Sequence, residues 1–167
     1  VKIFDIFKDE DGLADWLESR GHNTKFRGSF STVYLLDEDL VIKETEDEAY
    51  LKFLEYVLSS NSEHFPTVYD VVVINDCHYV LMERLSFGDD VHSEVQFYAE
   101  SQGWQTYNNE LWKGVYSKSF DTTLDYLEYY YEKYLKQDLE WDLRFTNIMF
   151  RGDVPVITDP FYLREGF

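Results

Sequence analysis

The chain has 167 residues, the size of one ordinary domain, and carries 33 acidic against 15 basic side chains for a net charge of −18. With 44% hydrophobic and 19% aromatic residues it holds enough apolar material for a core, which excludes a disordered acidic tail. No apolar run approaches the roughly 20 residues that a membrane span requires, and such a charge repels nucleic-acid phosphates and anionic lipid, so neither direct nucleic-acid binding nor a membrane is expected.

The start, Val1-Lys2-Ile3-Phe4-Asp5, is charged almost at once and lacks a secretory pattern. The single cysteine, Cys77, fits a reducing compartment. Leu13, Trp16 and Leu17 recur at i, i+3, i+4 and predict a short helix over 12–20, with Gly21 as its stop. Strands over 32–36 and 40–43 follow, and Asp37-Glu38-Asp39 between them predicts a hairpin turn. Tyr50, Phe53, Leu54, Val57 and Leu58 share one face of a helix predicted over 44–58, which His64-Phe65-Pro66 breaks. A second strand pair is predicted over 68–74 and 78–82, turning at Asn75-Asp76, and 83–88 is expected to be a connector.

Helical preference returns after Gly88, over 93–102 and again over 122–137. In the latter Leu124, Leu127, Tyr131, Tyr134 and Leu135 make one stripe, with Asp121 or Thr122 as the cap. The tyrosines at 126, 129, 130, 131 and 134 read as packing and partial exposure rather than a binding box. A last hairpin joins 147–150 to 154–158 through Arg151-Gly152-Asp153. The element order predicts an α+β fold. His22, His64, His78 and His92 are scattered without metal-ligand spacing, and no Ser-His-Asp or Cys-His arrangement stands out.

Candidate chemistry gathers near the carboxyl end. Asp142 and Asn147 sit at the edges of Trp141-Asp142-Leu143-Arg144-Phe145-Thr146-Asn147, and Asp159 follows the final strand. A hairpin between Asn147 and Asp159 can bring its two ends together. Their oxygens suit magnesium, and a remaining carboxylate can accept a hydroxyl proton, which together are parts of phosphoryl transfer. Upstream, Gly28-Ser29-Phe30-Ser31-Thr32-Val33-Tyr34 is a small-residue loop opening a strand, and its N–H groups could approach phosphate oxygens closely. Lys43 ends the next strand, and Glu48 on the following helix could hold its ammonium in place.

In this order along the chain the set resembles the protein-kinase-like fold. Gly28 to Tyr34 resembles the glycine-rich loop, and Val41-Ile42-Lys43 the third-strand lysine motif. Leu81-Met82-Glu83-Arg84-Leu85 resembles the hinge with Met82 at the gatekeeper place. Asp142 to Asn147 resembles the catalytic loop, and Asp159-Pro160-Phe161 stands where the metal-binding Asp-Phe-Gly usually stands. More narrowly, Asn147-Ile148-Met149-Phe150 and the run from Gly152 to Pro160, with the Gly28 loop, are similar to the early serine/threonine protein kinases of short-tailed lytic bacteriophages. The resemblance covers roughly residues 10 to 165.

The resemblance implies that Gly28, Ser29 and Phe30 cover the nucleotide phosphates and that Val33 packs on the adenine. Lys43, braced by Glu48, would touch the α and β phosphates, and the backbone at Glu83 and Leu85, next to Met82, would read the adenine edge. Asp142 would orient or deprotonate the acceptor hydroxyl, Arg144 would bind a phosphate, and Asn147 and Asp159 would hold magnesium. ATP and Mg2+ are the implied cofactors. The implied partners are host proteins, basic or nucleic-acid-binding, in the host bacterial cytoplasm.

Phe26 and Ser31 stand where the loop's first and third glycines usually fall, Trp141 and Arg144 replace the usual Arg and Lys around Asp142, and eight residues follow Asp159. The expected fold is therefore a minimal bilobal protein-kinase-like domain over 1–167, with an N-lobe over 10–85 and a truncated helical C-lobe over 86–167. The expected function is a serine/threonine protein kinase that moves the ATP γ-phosphoryl group to host proteins. Two readings compete with it: a catalytically impaired acidic protein of kinase fold that inhibits a host nucleic-acid-binding protein, and a small-molecule phosphotransferase.

Overall fold

The computed structural model describes residues 1–20, 25–27, 30–88, 97, 100–101 and 108–164. These residues form an α+β fold whose strand pairs are all antiparallel. The chain divides into two compact units, Val1–Asp47 with Thr67–Arg84, and Glu48–Pro66 with Leu85–Phe167. No helix among the described residues is long and apolar enough to cross a membrane.

The first unit is a five-stranded sheet of order β1-β2-β3-β5-β4. Its strands are β1 (Lys25–Arg27), β2 (Ser31–Leu35), β3 (Leu40–Thr45), β4 (Val68–Ile74) and β5 (Cys77–Glu83). Strand alternation puts Ile42, Leu81 and Val72 on one face. They pack there with Ile3 and Leu13 from two helices, α1 (Ile3–Phe7) and α2 (Glu10–Ser19). Turn chemistry fixes the strand ends. Asn75 and Asp76 join β4 to β5 at φ 50 and 65, the paired left-handed conformation of a two-residue hairpin that Asn and Asp tolerate. Asp37 Oδ1 accepts the N–H groups of Asp39 and Leu40, both at 2.8 Å, and so closes the turn between β2 and β3.

Several boundaries differ from the periodic pattern, each for a local reason. β3 runs on to Thr45 because Glu44 accepts the Tyr34 hydroxyl at 2.7 Å and the Thr45 hydroxyl meets that of Ser31 at 2.8 Å. The next helix, α3 (Glu48–Leu58), therefore starts at Glu48 and not at 44. α1 lies ahead of the first predicted helix, and α2 begins at Glu10 because the Asp9 carboxylate caps it, accepting the Gly12 N–H at 2.9 Å. The predicted stop, Gly21, lies outside the described residues.

Gly12 has a steric reason as well. A Cβ there would overlap the carbonyl oxygen of Phe7, so glycine lets α2 pass the end of α1. Gly12→Ala is expected to destabilise the fold by roughly 1–3 kcal/mol through overpacking. Urea unfolding checks this, and a midpoint equal to the wild type would mean the two helices shift at no cost.

In the second unit, α3 buries Tyr50, Phe53, Leu54 and Val57, and Phe53 meets Phe65 and Phe161 edge-on at 5.7 and 6.3 Å. α4 (Lys118–Tyr130) is capped by Ser117, whose Oγ accepts the Phe120 N–H at 3.2 Å, and not by Asp121 or Thr122. Its buried stripe begins a turn earlier than predicted, at Phe120, and Asp121 instead accepts the Gly114 N–H at 2.9 Å. The helix then widens into a π turn at Tyr131–Leu135, where the Lys136 N–H reaches the Tyr131 carbonyl at 2.9 Å. The wider turn rotates Tyr134 off the predicted stripe and into solvent.

Short strands complete this unit. β7 (Leu139–Trp141) pairs with β10 (Phe161–Leu163), and β8 (Ile148–Arg151) with β9 (Val154–Ile157). Gly152 turns the β8–β9 hairpin at φ 58. The expected connector contains β6 (Ser86–Phe87), which pairs with β8. Of the helix predicted over 93–102, Phe97, Glu100 and Ser101 are helical and the rest lies outside the described residues.

Candidate functional site

β7 delivers the chain to Asp142, whose N–H donates to the Pro160 carbonyl at 2.7 Å. The loop then folds on the Asp142 carbonyl, which accepts the Arg144 N–H at 2.9 Å and the Asn147 Nδ2 at 2.6 Å. At the far end, the Asn147 carbonyl accepts both the N–H of Thr158, at 2.9 Å, and its hydroxyl, at 3.1 Å. From behind, fully buried Trp112 donates its Nε1–H to the Leu143 carbonyl at 2.6 Å. Asp159 thus lies between two residues whose main chains are tied to the loop, Thr158 to Asn147 and Pro160 to Asp142. The hairpin brings Asp142, Asn147 and Asp159 onto one framework of main-chain hydrogen bonds.

The side chains on that framework are polarised. The Asp142 carboxylate accepts Arg144 Nε at 2.6 Å. With its Nδ2 spent on Asp142, Asn147 presents its amide oxygen, a hard ligand, elsewhere. Tyr50 on α3 senses Asp159. Burial first, and the Asp159 charge second, push the Tyr50 phenol well above its ordinary range, so it stays a neutral O–H. Sequence reasoning placed Tyr50 only on a buried helix face and did not single out Trp112. Periodicity reports which face is buried, not which loop the face meets.

In the first unit, Val33, Lys43 and Val80 stand opposite one another across β2, β3 and β5, so their side chains share a face. Met82, two residues beyond Val80, is on that face and buried. Lys43 is only 8% exposed, unusual for a lysine. Glu83 donates its N–H to the Thr67 carbonyl at 3.0 Å, and its carboxylate accepts the Thr67 N–H at 2.7 Å. Ser31 joins Thr45 through their hydroxyls, whereas Phe30 beside it is 74% exposed. Gly28 and Ser29 lie outside the described residues. In the second unit, Leu85 is half-buried, and Glu48 opens α3 as an exposed side chain that makes no hydrogen bond or ion pair among the described residues.

No family model matches the chain, and no curated protein matches it. One solved structure similar to it is that of WbdD with the kinase inhibitor LY294002, at 16% sequence identity and a TM-score of 0.42. The match covers 80% of this chain and 31% of that one, so the chain spans under a third of that protein's length. A likeness this remote assigns no family.

Proposed function

We propose that the chain is a kinase-like phosphotransferase that uses ATP and Mg2+ and moves the γ-phosphoryl group to a serine or threonine hydroxyl of a protein. The observation that carries this reading is the pair of main-chain bonds flanking Asp159, which hold Asp142, Asn147 and Asp159 on one loop framework. A lysine buried on the third strand supports it, since phosphoryl transfer in kinases places the phosphate-binding lysine there.

Each residue then has a task that its surroundings suit. Asn147 and Asp159 would hold the magnesium; two hard oxygen ligands suit an ion that keeps waters and phosphate oxygens in its remaining positions. When bound, the ion supplies neutralisation of phosphate charge. Asp142 accepts or orients the proton of the attacking hydroxyl, and Arg144 holds its carboxylate in place at 2.6 Å while offering a guanidinium to phosphate. Lys43 binds the α and β phosphates, and Val33 and Met82 on the same face supply apolar contact for the adenine. Because the Glu83 N–H is spent on Thr67, adenine is read there through the carbonyl. The phage-kinase resemblance makes host proteins, preferentially basic ones, the substrates.

Melting curves with and without ATP–magnesium test the reading. Nucleotide bound only by the folded state stabilises it, by about 2.7 kcal/mol at a hundredfold excess over Kd. Labelled ATP should also transfer its phosphate to casein. The net charge of −18 favours a second reading, an acidic inhibitor of a host nucleic-acid-binding protein. An unshifted melting temperature at millimolar nucleotide would select that second reading.

A further inference from the structure

The outer side of α4 carries more aromatic surface than a solvated helix needs. Tyr126, Tyr129 and Tyr134 are 66%, 64% and 58% exposed, whereas Tyr131 is buried. Tyr130 stacks on Tyr56 of α3 with ring centroids 4.4 Å apart and meets Tyr134 at 5.0 Å. The Lys133 ammonium lies 5.6 Å from the Tyr129 ring and 5.0 Å from the Tyr134 ring, so it joins them into one surface. Along the same helix and its π turn, Asp121, Asp125, Glu128 and Glu132 recur at three- and four-residue spacing and form an acidic stripe.

This surface already gathers cations in two ways. The Lys113 ammonium is drawn among three carboxylates, Glu110 at 3.0 Å, Asp125 at 3.0 Å and Glu128 at 3.2 Å. Lys133 uses the ring faces instead. Tyrosine is enriched at protein interfaces because its ring offers contact area at little entropic cost. A guanidinium can use a ring face and a carboxylate together, stacking on one while pairing with the other.

The geometry points to a docking face for an arginine-bearing segment of another protein, with the tyrosine rings as stacking platforms and the acidic stripe as counter-charge. Charge decides among the possible occupants. At −18 the chain repels nucleic acid, anionic lipid and a second copy of itself, and attracts a basic segment. The docking face does not depend on phosphoryl transfer.

Anisotropy of a fluorescein-labelled peptide of alternating Arg and Gly, titrated with the full chain, tests this. Tyr126→Ala, Tyr129→Ala and Tyr134→Ala are each expected to weaken binding roughly fivefold, and the corresponding Phe variants to restore it, since the ring face is what binds. Asp125→Asn should weaken it further. A matched Lys–Gly peptide should bind less tightly. The Phe variants keep the ring, so they decide the matter even if an Ala variant unfolds. The proposal is overturned if the Ala variants bind like wild type, if the Phe variants fail to restore binding, if the lysine peptide binds equally well, or if single-stranded oligothymidylate binds more tightly than the arginine peptide.

Discussion

Asp142→Asn is expected to reduce phosphoryl transfer by about two to four orders of magnitude while leaving the melting temperature and ATP–magnesium binding close to wild type. Asparagine keeps an oxygen that accepts Arg144 Nε, and it keeps the main-chain bonds to Pro160 and Asn147. Only the proton-accepting charge is lost. The ion pair with Arg144 is partly exposed, so its loss costs the fold at most about 1 kcal/mol. Asp159→Asn should behave differently and remove the magnesium dependence of nucleotide binding. Rates measured with labelled ATP, beside calorimetric titration with and without magnesium, separate the two. A wild-type rate in Asp142→Asn would remove Asp142 from the chemistry.

The largest loss of stability is expected from Trp112→Ala, about 3–5 kcal/mol for an emptied core site. Trp112 is fully buried, stacks on Tyr116 with ring centroids 6.1 Å apart, and satisfies the Leu143 carbonyl. Trp112→Phe isolates the last of these contributions. It keeps most of the ring but leaves a buried carbonyl without its donor, at a cost of about 1–3 kcal/mol. That carbonyl belongs to the residue after Asp142, so the Phe variant should also lose rate with little change in nucleotide affinity. Urea unfolding and single-turnover rates check both. Unchanged stability and rate in Trp112→Phe would mean that the indole does not position the loop.

Where the determinants are local, the sequence is a good guide to this molecule. The Asn75-Asp76 turn needs two residues that accept left-handed φ, and those residues announce it. The hairpin from Asn147 to Asp159 is short, and its closing Gly152 is equally plain. Because Asn147 and Asp159 flank that hairpin and Asp142 stands just before it, spacing alone already suggests the main-chain links that join the two flanks. What escapes is set across long separations. Trp112 reaches Leu143 over 31 positions, and nothing in the stretch around it shows periodicity. β7 and β10 are three-residue strands that exist because each finds the other. The Ser117 cap was hidden because Asp121 and Thr122 are equally good capping types. Tyr134 fell on the wrong side because a periodic template assumes an unbroken α-helix, and the π turn breaks the count.

The bonds from Asp142 to Pro160 and from Thr158 to Asn147 have a thermodynamic corollary. They are neighbouring links at the open end of the β8–β9 hairpin, so neither can break without loosening the other. The three acidic and amide side chains therefore assemble or come apart as a cooperative unit. A modest packing defect anywhere along β8 or β9 then lowers the fraction of molecules holding the whole set in register and leaves the geometry of those that do unchanged. In rate measurements such a defect would look like a smaller amount of active protein and not like a poorer catalyst.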